Sequence, residues 1–226
     1  MNQPVAMGKN LNQFLQSLEP LLDGEGVAAL RAIGRDYTQL SQDFMNRMWS
    51  RKLGVSSWGR RGEGGGEGGQ ALWRGLEPLL RQTGVDWTLF WRQLAEVAAL
   101  PESRSDSYRL ALLQQSFYGQ LTQSLEERWA GWLQRWLAQI QAEGVATAQG
   151  REAVAARMRQ ASPKYVPREW MLAEAYTAAG EADHSVVHRL QELFRRPYDE
   201  QPEFEARYYR LAEESASAQG GIGFMS

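Results

Sequence analysis

The 226-residue chain has no cysteine and only two histidines. The first absence excludes disulfides, thiolate nucleophiles and cysteine-ligated zinc within this sequence, and the second leaves His184 and His188 as its only imidazoles. No apolar run approaches the roughly 18 residues of a membrane span, and the opening "MNQPVAMGKN" has no apolar signal core. These features predict a soluble, intracellular protein without a membrane partner; they leave cytoplasm, mitochondrion and plastid open. An excess of basic charge is also missing: 25 basic against 27 acidic residues give a net charge of −2, so a nucleic-acid partner is not expected. Phosphate-gripping signatures are absent too. "GEGGGEGG" follows no strand and lacks the Lys-Ser/Thr ending of a P-loop, and no kinase catalytic-loop or DFG segment occurs.

What is present is helical periodicity, with no alternating strand pattern, in a chain that is 43% hydrophobic and carries nine tryptophans. The expected fold is all-α, an irregular multi-helix bundle. Leu11, Phe14, Leu15, Leu18 and Leu22 form a first stripe, closed by Asp23-Gly24. A long amphipathic helix follows through Val27, Leu30, Ile33, Tyr37, Leu40, Phe44, Met48 and Leu53, with Gly54 at the expected C′ position. "GRRGEGGGEGG" carries too much glycine for regular structure and predicts a flexible insert over 55–69. Its Arg60 and Arg61 are too diluted by glutamate for an Arg-Gly nucleic-acid contact.

Leu72, Leu76, Leu79 and Leu80 predict a helix ended by Gly84, and Asp86 is placed to cap the next, which Pro101 terminates. A helical region carrying Leu110, Leu113, Phe117 and Leu121 is expected to run on through Leu125, Trp129, Trp132, Trp136 and Ile140, with a kink at Gly119. Further helices are expected near 148–160, at 167–179 and from Asp183 to before Pro197. In "SPKYVPREW" two prolines stiffen the connector, and Pro167 suits a first helical turn.

Few constellations point to chemistry. His184 and His188 share a helical face with Glu192 one turn on, a spacing that can hold a metal, but Ser185 stands where HExxH has its glutamate; two solvent-facing or capping histidines are the simpler reading. Trp129, Trp132 and Trp136, interleaved with Leu133, Leu137 and Ile140, describe a buried seam rather than a sugar-stacking stripe, and each indole N–H then needs a partner. Glu126-Glu127 and Glu213-Glu214 are neighbours that diverge on a helix, so neither is an acid/base pair. No catalytic, cofactor-binding or metal-ligating residue is assigned.

Several segments resemble the selenoprotein O family, protein adenylyltransferases with a pseudokinase fold. "SPKYVPREW" is similar to the family's NPKYVLRN-type segment and "RRPYDEQPEFEARYY", residues 195–209, to its RPYDEQPEYE-type stretch. "MWSRKLGV", "VDWTLFWRQLAEV" and "NQPVAMGKNL" resemble its MRxKLGL, DFTxxFRxLS and NQPxxxxWNL motifs, in the family's order. Departures are Ser162 for Asn, Pro167 for Leu, Lys9 for Trp, and the glycine-rich insert. The resemblance implies AMP transfer from ATP, with magnesium or another divalent metal, to Ser, Thr or Tyr hydroxyls of proteins by a kinase-like core that precedes the NQP segment.

On that basis residues 1–54 are expected to be N-terminal helices ending a kinase-like C-lobe, 70–197 a C-terminal helical region, and 198–226 a polar tail. The chain is expected to be a C-terminal fragment, non-catalytic alone, whose partner is the missing kinase-like region. A free-standing helical interaction module is the alternative. Lys164 and Arg168 are candidate surface anchors of the connector, against the plainer reading of solvated ends. Family members commonly end in a tail with cysteine or selenocysteine after an FMS-like segment, and this sequence stops at "GGIGFMS". The expectation is a selenocysteine TGA codon after Ser226, checked by sequencing the gene; any other codon there removes it.

Overall fold

The computed structural model describes residues 3–56, 58–59, 68–145 and 147–212. Arg60 and Arg61 of the glycine-rich insert, the Glu213-Glu214 pair and the terminus at Ser226 lie outside the described residues. Among the described residues ten α-helices follow in order: α1 Gln3–Leu18, α2 Gly24–Leu53, α3 Gly69–Thr83, α4 Trp87–Ala99, α5 Asp106–Gln114, α6 Gln123–Ala142, α7 Ala148–Gln160, α8 Glu169–Gly180, α9 Ser185–Arg195 and α10 Pro202–Tyr208. Among the described residues the only extended pairing is an isolated antiparallel bridge between Val85 and Phe117, so the fold is all-α. The chain divides into two compact units, Met1–Trp49 and Ser50–Ser226, with the division inside α2.

The first unit holds α1 and most of α2. The stripe expected to continue to Leu22 breaks at Leu18, because Pro20 enters a 3-10 turn, Glu19–Leu21. Asp23 then accepts the Gly26 amide at 2.9 Å as the next helix begins. Arg31 grips Glu19 with two hydrogen bonds, at 3.0 and 3.1 Å, and the Tyr37 hydroxyl donates to the Pro4 carbonyl oxygen at 3.1 Å. Among the described residues of this unit Leu15 and Leu30 are the buried hydrophobic ones.

In the second unit α4 is the central helix. Nine of its thirteen residues are buried, which places apolar side chains on every side instead of along one stripe. It lies against α7 and α5, while α6 packs on α3 and α5 and α8 on α9. The tryptophan seam of α6 is as its spacing predicts: Trp129, Trp132 and Trp136 are fully buried. Their indole N–H groups donate to Thr83 Oγ1 at 2.9 Å, the Leu72 carbonyl oxygen at 2.9 Å and the Leu53 carbonyl oxygen at 2.7 Å. One helix thus locks both ends of α3 and the last turn of α2.

That last turn closes as a Schellman motif. Gly54 has φ +69°, its amide donates to Arg51 and the Val55 amide reaches back to Ser50. A Cβ on Gly54 would stand 2.7 Å from Val154 Cγ1 and 2.8 Å from Met158 Sδ of α7. Glycine is therefore required twice, for its backbone angle and for the close approach.

Three further sequence expectations change. The region read as one kinked helix through Gly119 is two helices, α5 and α6, separated because Phe117 bridges to Val85 and Thr122 caps α6 through the Leu125 amide. The helix expected from Pro167 begins at Glu169, with Arg168 extended at φ −108° as its N-cap. Past Pro197, where the composition turns polar, the chain still folds: α10 buries Tyr208 into the cluster formed by Tyr165, Met171, Leu190 and Leu193.

Gly54→Ala should lower unfolding stability by about 2 kcal/mol or more, combining a left-handed backbone penalty with the clash on α7. Trp132→Phe should cost about 1–3 kcal/mol, because it strips a buried donor from the Leu72 carbonyl and leaves space in the seam. Urea unfolding followed by circular dichroism measures both.

Candidate functional site: a buried charge network under the 162–168 connector

α4 carries a charge into the core. Arg92 is 2% exposed. A guanidinium there is tolerable only if its donors are all answered. Its Nη1 donates to the carbonyl oxygens of Arg159, Ser162 and Tyr198 at 3.4, 3.3 and 3.2 Å, and its Nη2 pairs with Glu200. One side chain of α4 thereby fastens the end of α7, the start of the connector and the segment before α10.

The connector is held along its length. Lys164 Nζ bonds Glu200 Oε2 at 2.8 Å and Glu205 Oε2 at 3.1 Å. The Lys164 and Tyr165 amides both donate to the Pro197 carbonyl oxygen, and the Tyr165 hydroxyl donates to the Glu200 carbonyl oxygen at 2.7 Å. Gln201, in the left-handed region at φ +43°, turns the opposite strand of chain and donates to the carbonyl oxygens of Leu193 and Arg196.

At the connector's far end Arg168 forms a two-pronged pair with Asp86, whose Oδ1 also accepts the Leu89 amide at 2.9 Å as the N-cap of α4. The Tyr118 hydroxyl donates to Asp86 Oδ2 at 3.2 Å. Burial alone would raise the Asp86 carboxyl. The Arg168 hydrogen bonds, the Leu89 amide, the Arg168 charge and Tyr118 outweigh it and hold Asp86 below its ordinary range.

Lys164 and Arg168, expected as surface anchors or solvated ends, are neither. Lys164 is 5% exposed, and the Arg168 side chain, 13% exposed, is held against the buried Asp86. The reason is the carboxylate supply on elements distant in sequence, Asp86 before α4 and Glu200 and Glu205 around α10, which a local reading cannot see. Lys52, at the end of α2, is buried beside them: Nζ donates to Ser162 Oγ at 3.2 Å and stands 5.3 Å over the Trp91 ring. Burial pushes it down to about 8.

Four segments that carry the family resemblance thus meet in one place: Lys52, Asp86 with Arg92, the 162–168 connector, and Glu200 with Glu205. Beside them opens a cleft of about 480 Å³ with Gln93, Glu96 and Tyr209 in its walls. The other sequence candidates lie elsewhere. His184 and His188 are exposed, His184 as the N-cap residue of α9, and Glu126 and Glu127 lie exposed on α6. Arg92 and Gln93 were not singled out by sequence; the available signal was a polar pair between the apolar Phe90-Trp91 and Leu94-Ala95 of "FWRQLAEV".

The ATP and divalent metal implied for the full-length family do not fit these residues. Among the described residues no group of three or more His, Asp or Glu is placed to hold a metal ion, and Arg92, Arg159 and Lys164 are committed to protein oxygens. No described helix is long and apolar enough to cross a membrane.

Comparison with known proteins identifies the family of the chain. The family profile described as "Protein adenylyltransferase SelO" matches residues 1–195. The protein nucleotidyltransferase YdiU of Azoarcus sp. (strain BH72) is 30% identical over 226 residues, all of this chain and 40% of that protein. The protein of the same name from Vibrio parahaemolyticus is 30% identical over 207 residues, and that from Aeromonas salmonicida 32% over 203, each match covering 37% of the relative. The chain belongs to the SelO family of protein nucleotidyltransferases. It spans about 40% of the length of these relatives.

Arg168→Met should cost about 3–5 kcal/mol by stranding the buried Asp86 carboxylate, and adding Asp86→Asn should recover part of it. Lys52 yields a pH signature. Its folded pKa is depressed to about 8, below the unfolded value, so the unfolded chain binds the extra proton between about pH 8 and pH 10 and stability rises there. The gain should approach about 3 kcal/mol before the burial-raised Tyr165 and Tyr209 turn the curve down at higher pH. Lys52→Met should flatten the rise in unfolding free energy measured against pH.

Proposed function

We propose that this chain is the helical buttress of a protein adenylyltransferase, shaping and supporting a kinase-like, nucleotide-gripping region outside these residues. In partnership with that region the activity is transfer of AMP from ATP to Ser, Thr or Tyr hydroxyls of protein substrates. Alone, the chain transfers nothing. Family membership supports the reaction class, and the chain's span of about 40% of its relatives leaves room for a separate catalytic region.

The observation that carries the buttress reading is the apolar surface of the first unit. Met7, Phe14, Leu21, Ile33, Leu40 and Phe44 are all more than half exposed, from 54% to 78%, while Leu15 and Leu30 are buried. Exposed apolar side chains in this density on two helices and the turn that joins them call for a covering surface. The second unit, by contrast, carries its own tryptophan-rich core and satisfies its own buried charges.

Labelled ATP and a generic protein substrate should give no labelled product with the pure chain. A chimera in which the chain replaces the matching 40% of the Azoarcus protein should transfer AMP. The same chimera with Leu40→Asp and Phe44→Asp should lose at least tenfold in rate, while the isolated chain carrying these changes unfolds at the same denaturant concentration as the parent. Full activity in the substituted chimera would contradict the buttress reading and favour a free-standing interaction module.

A further inference from the structure

We propose that the cleft beside α4 is a binding site for a guanidinium group, supplied by a free arginine derivative or by an arginine side chain of a peptide. This site lies wholly in the second unit and does not rest on the nucleotidyltransfer reading.

The hydrogen-bonding capacity left open in the cleft belongs to its acceptors. The basic groups of the cleft are engaged: Arg92 with three carbonyl oxygens and Glu200, Lys164 with Glu200 and Glu205, and Arg159 with Glu96 and Glu152. Arg92 and Lys164 also sit deep, their side chains 3% and 4% exposed, and Arg159 is 21% exposed. The carboxylates face outward instead, with the Glu96, Glu200 and Glu205 side chains 53%, 58% and 50% exposed. A solute entering the cleft therefore meets acceptors. Each carboxylate offers about four lone-pair directions, more than its present partners use.

Gln93 supplies the second, independent observation. Its side chain lines the cleft, the residue is 6% exposed, and Oε1 has no hydrogen-bond partner. Its amide Nε2 reaches only Gln115 Oε1, at 3.4 Å. A buried amide oxygen left in this state is destabilising, and the deficiency is removed by a donor arriving from the cleft.

A ligand that answers an orphan amide oxygen and several outward carboxylates must be rich in N–H donors and positively charged. Guanidinium fits better than ammonium. It is less strongly hydrated, so burial in a cleft of about 480 Å³ costs less, and its planar fork reaches several acceptors at once. An anion fits poorly, because it would have to displace Glu200 and Glu205 from the buried cations.

Nα-acetyl-arginine amide titrated into the full chain, followed by NMR of the Gln93 side-chain amide and Tyr209 ring, tests the proposal without any variant. Saturable shifts are expected, with the neutral ureido isostere Nα-acetyl-citrulline amide binding at least tenfold more weakly. An acetylated Gly-Arg-Gly amide binding at least threefold tighter than the single residue identifies a peptide source; equal affinity identifies a free arginine derivative. The Glu96→Gln/Glu205→Gln chain should bind at least fivefold more weakly, with its fold checked by near-UV circular dichroism. No saturable shift, equal binding of the citrulline compound, or displacement of the same resonances by inorganic phosphate instead would overturn it.

Discussion

The second unit depends on the buried guanidinium of Arg92. A charge placed at the centre of an apolar helix is costly unless protein dipoles replace its lost water. The peptide carbonyls of Arg159, Ser162 and Tyr198 and the Glu200 carboxylate do this for Arg92. Those groups come from two stretches, 159–162 and 198–200, both far from Arg92 in sequence. The requirement to satisfy one side chain therefore dictates how α7, the connector and the chain before α10 must converge on α4.

The rest of the network follows the same logic. Lys164 would be stranded without Glu200 and Glu205, and Asp86 without Arg168, so each end of the connector is held by a pair that neither partner can leave cheaply. Ion pairs of this kind fix geometry more than they add net stability. The stability comes from the apolar contacts around them, above all the α6 tryptophans and the cluster of Tyr165, Met171, Leu190, Leu193 and Tyr208. The result is a connector whose two ends are clamped.

Much of this architecture was legible in the sequence, because helices announce themselves locally. The 3-4 spacing of Trp129, Trp132 and Trp136 marked the seam, Gly54 marked the end of α2, and Asp86 marked the start of α4. What stayed hidden was non-local. Val85 pairing with Phe117 split one expected helix into two, and carboxylates at positions 86, 200 and 205 drew Lys164 and Arg168 inward. α10 was masked by its charged composition, since only Phe204 and Tyr208 of that short helix turn toward the core. The cleft was illegible for the same reason: its walls come from α4, α5, α7, the connector and α10.

Native-state amide hydrogen exchange tests the central role of Arg92 most directly. The Lys164 and Tyr165 amides, both bonded to the Pro197 carbonyl, should exchange with the same opening free energy as the α4 amides, and in the Arg92→Leu chain they should lose protection together with residues 198–209 while α3 and α6 keep theirs. Exchange of those two amides at loop-like rates in the unaltered protein, or unchanged protection in the Arg92→Leu chain, would contradict the account.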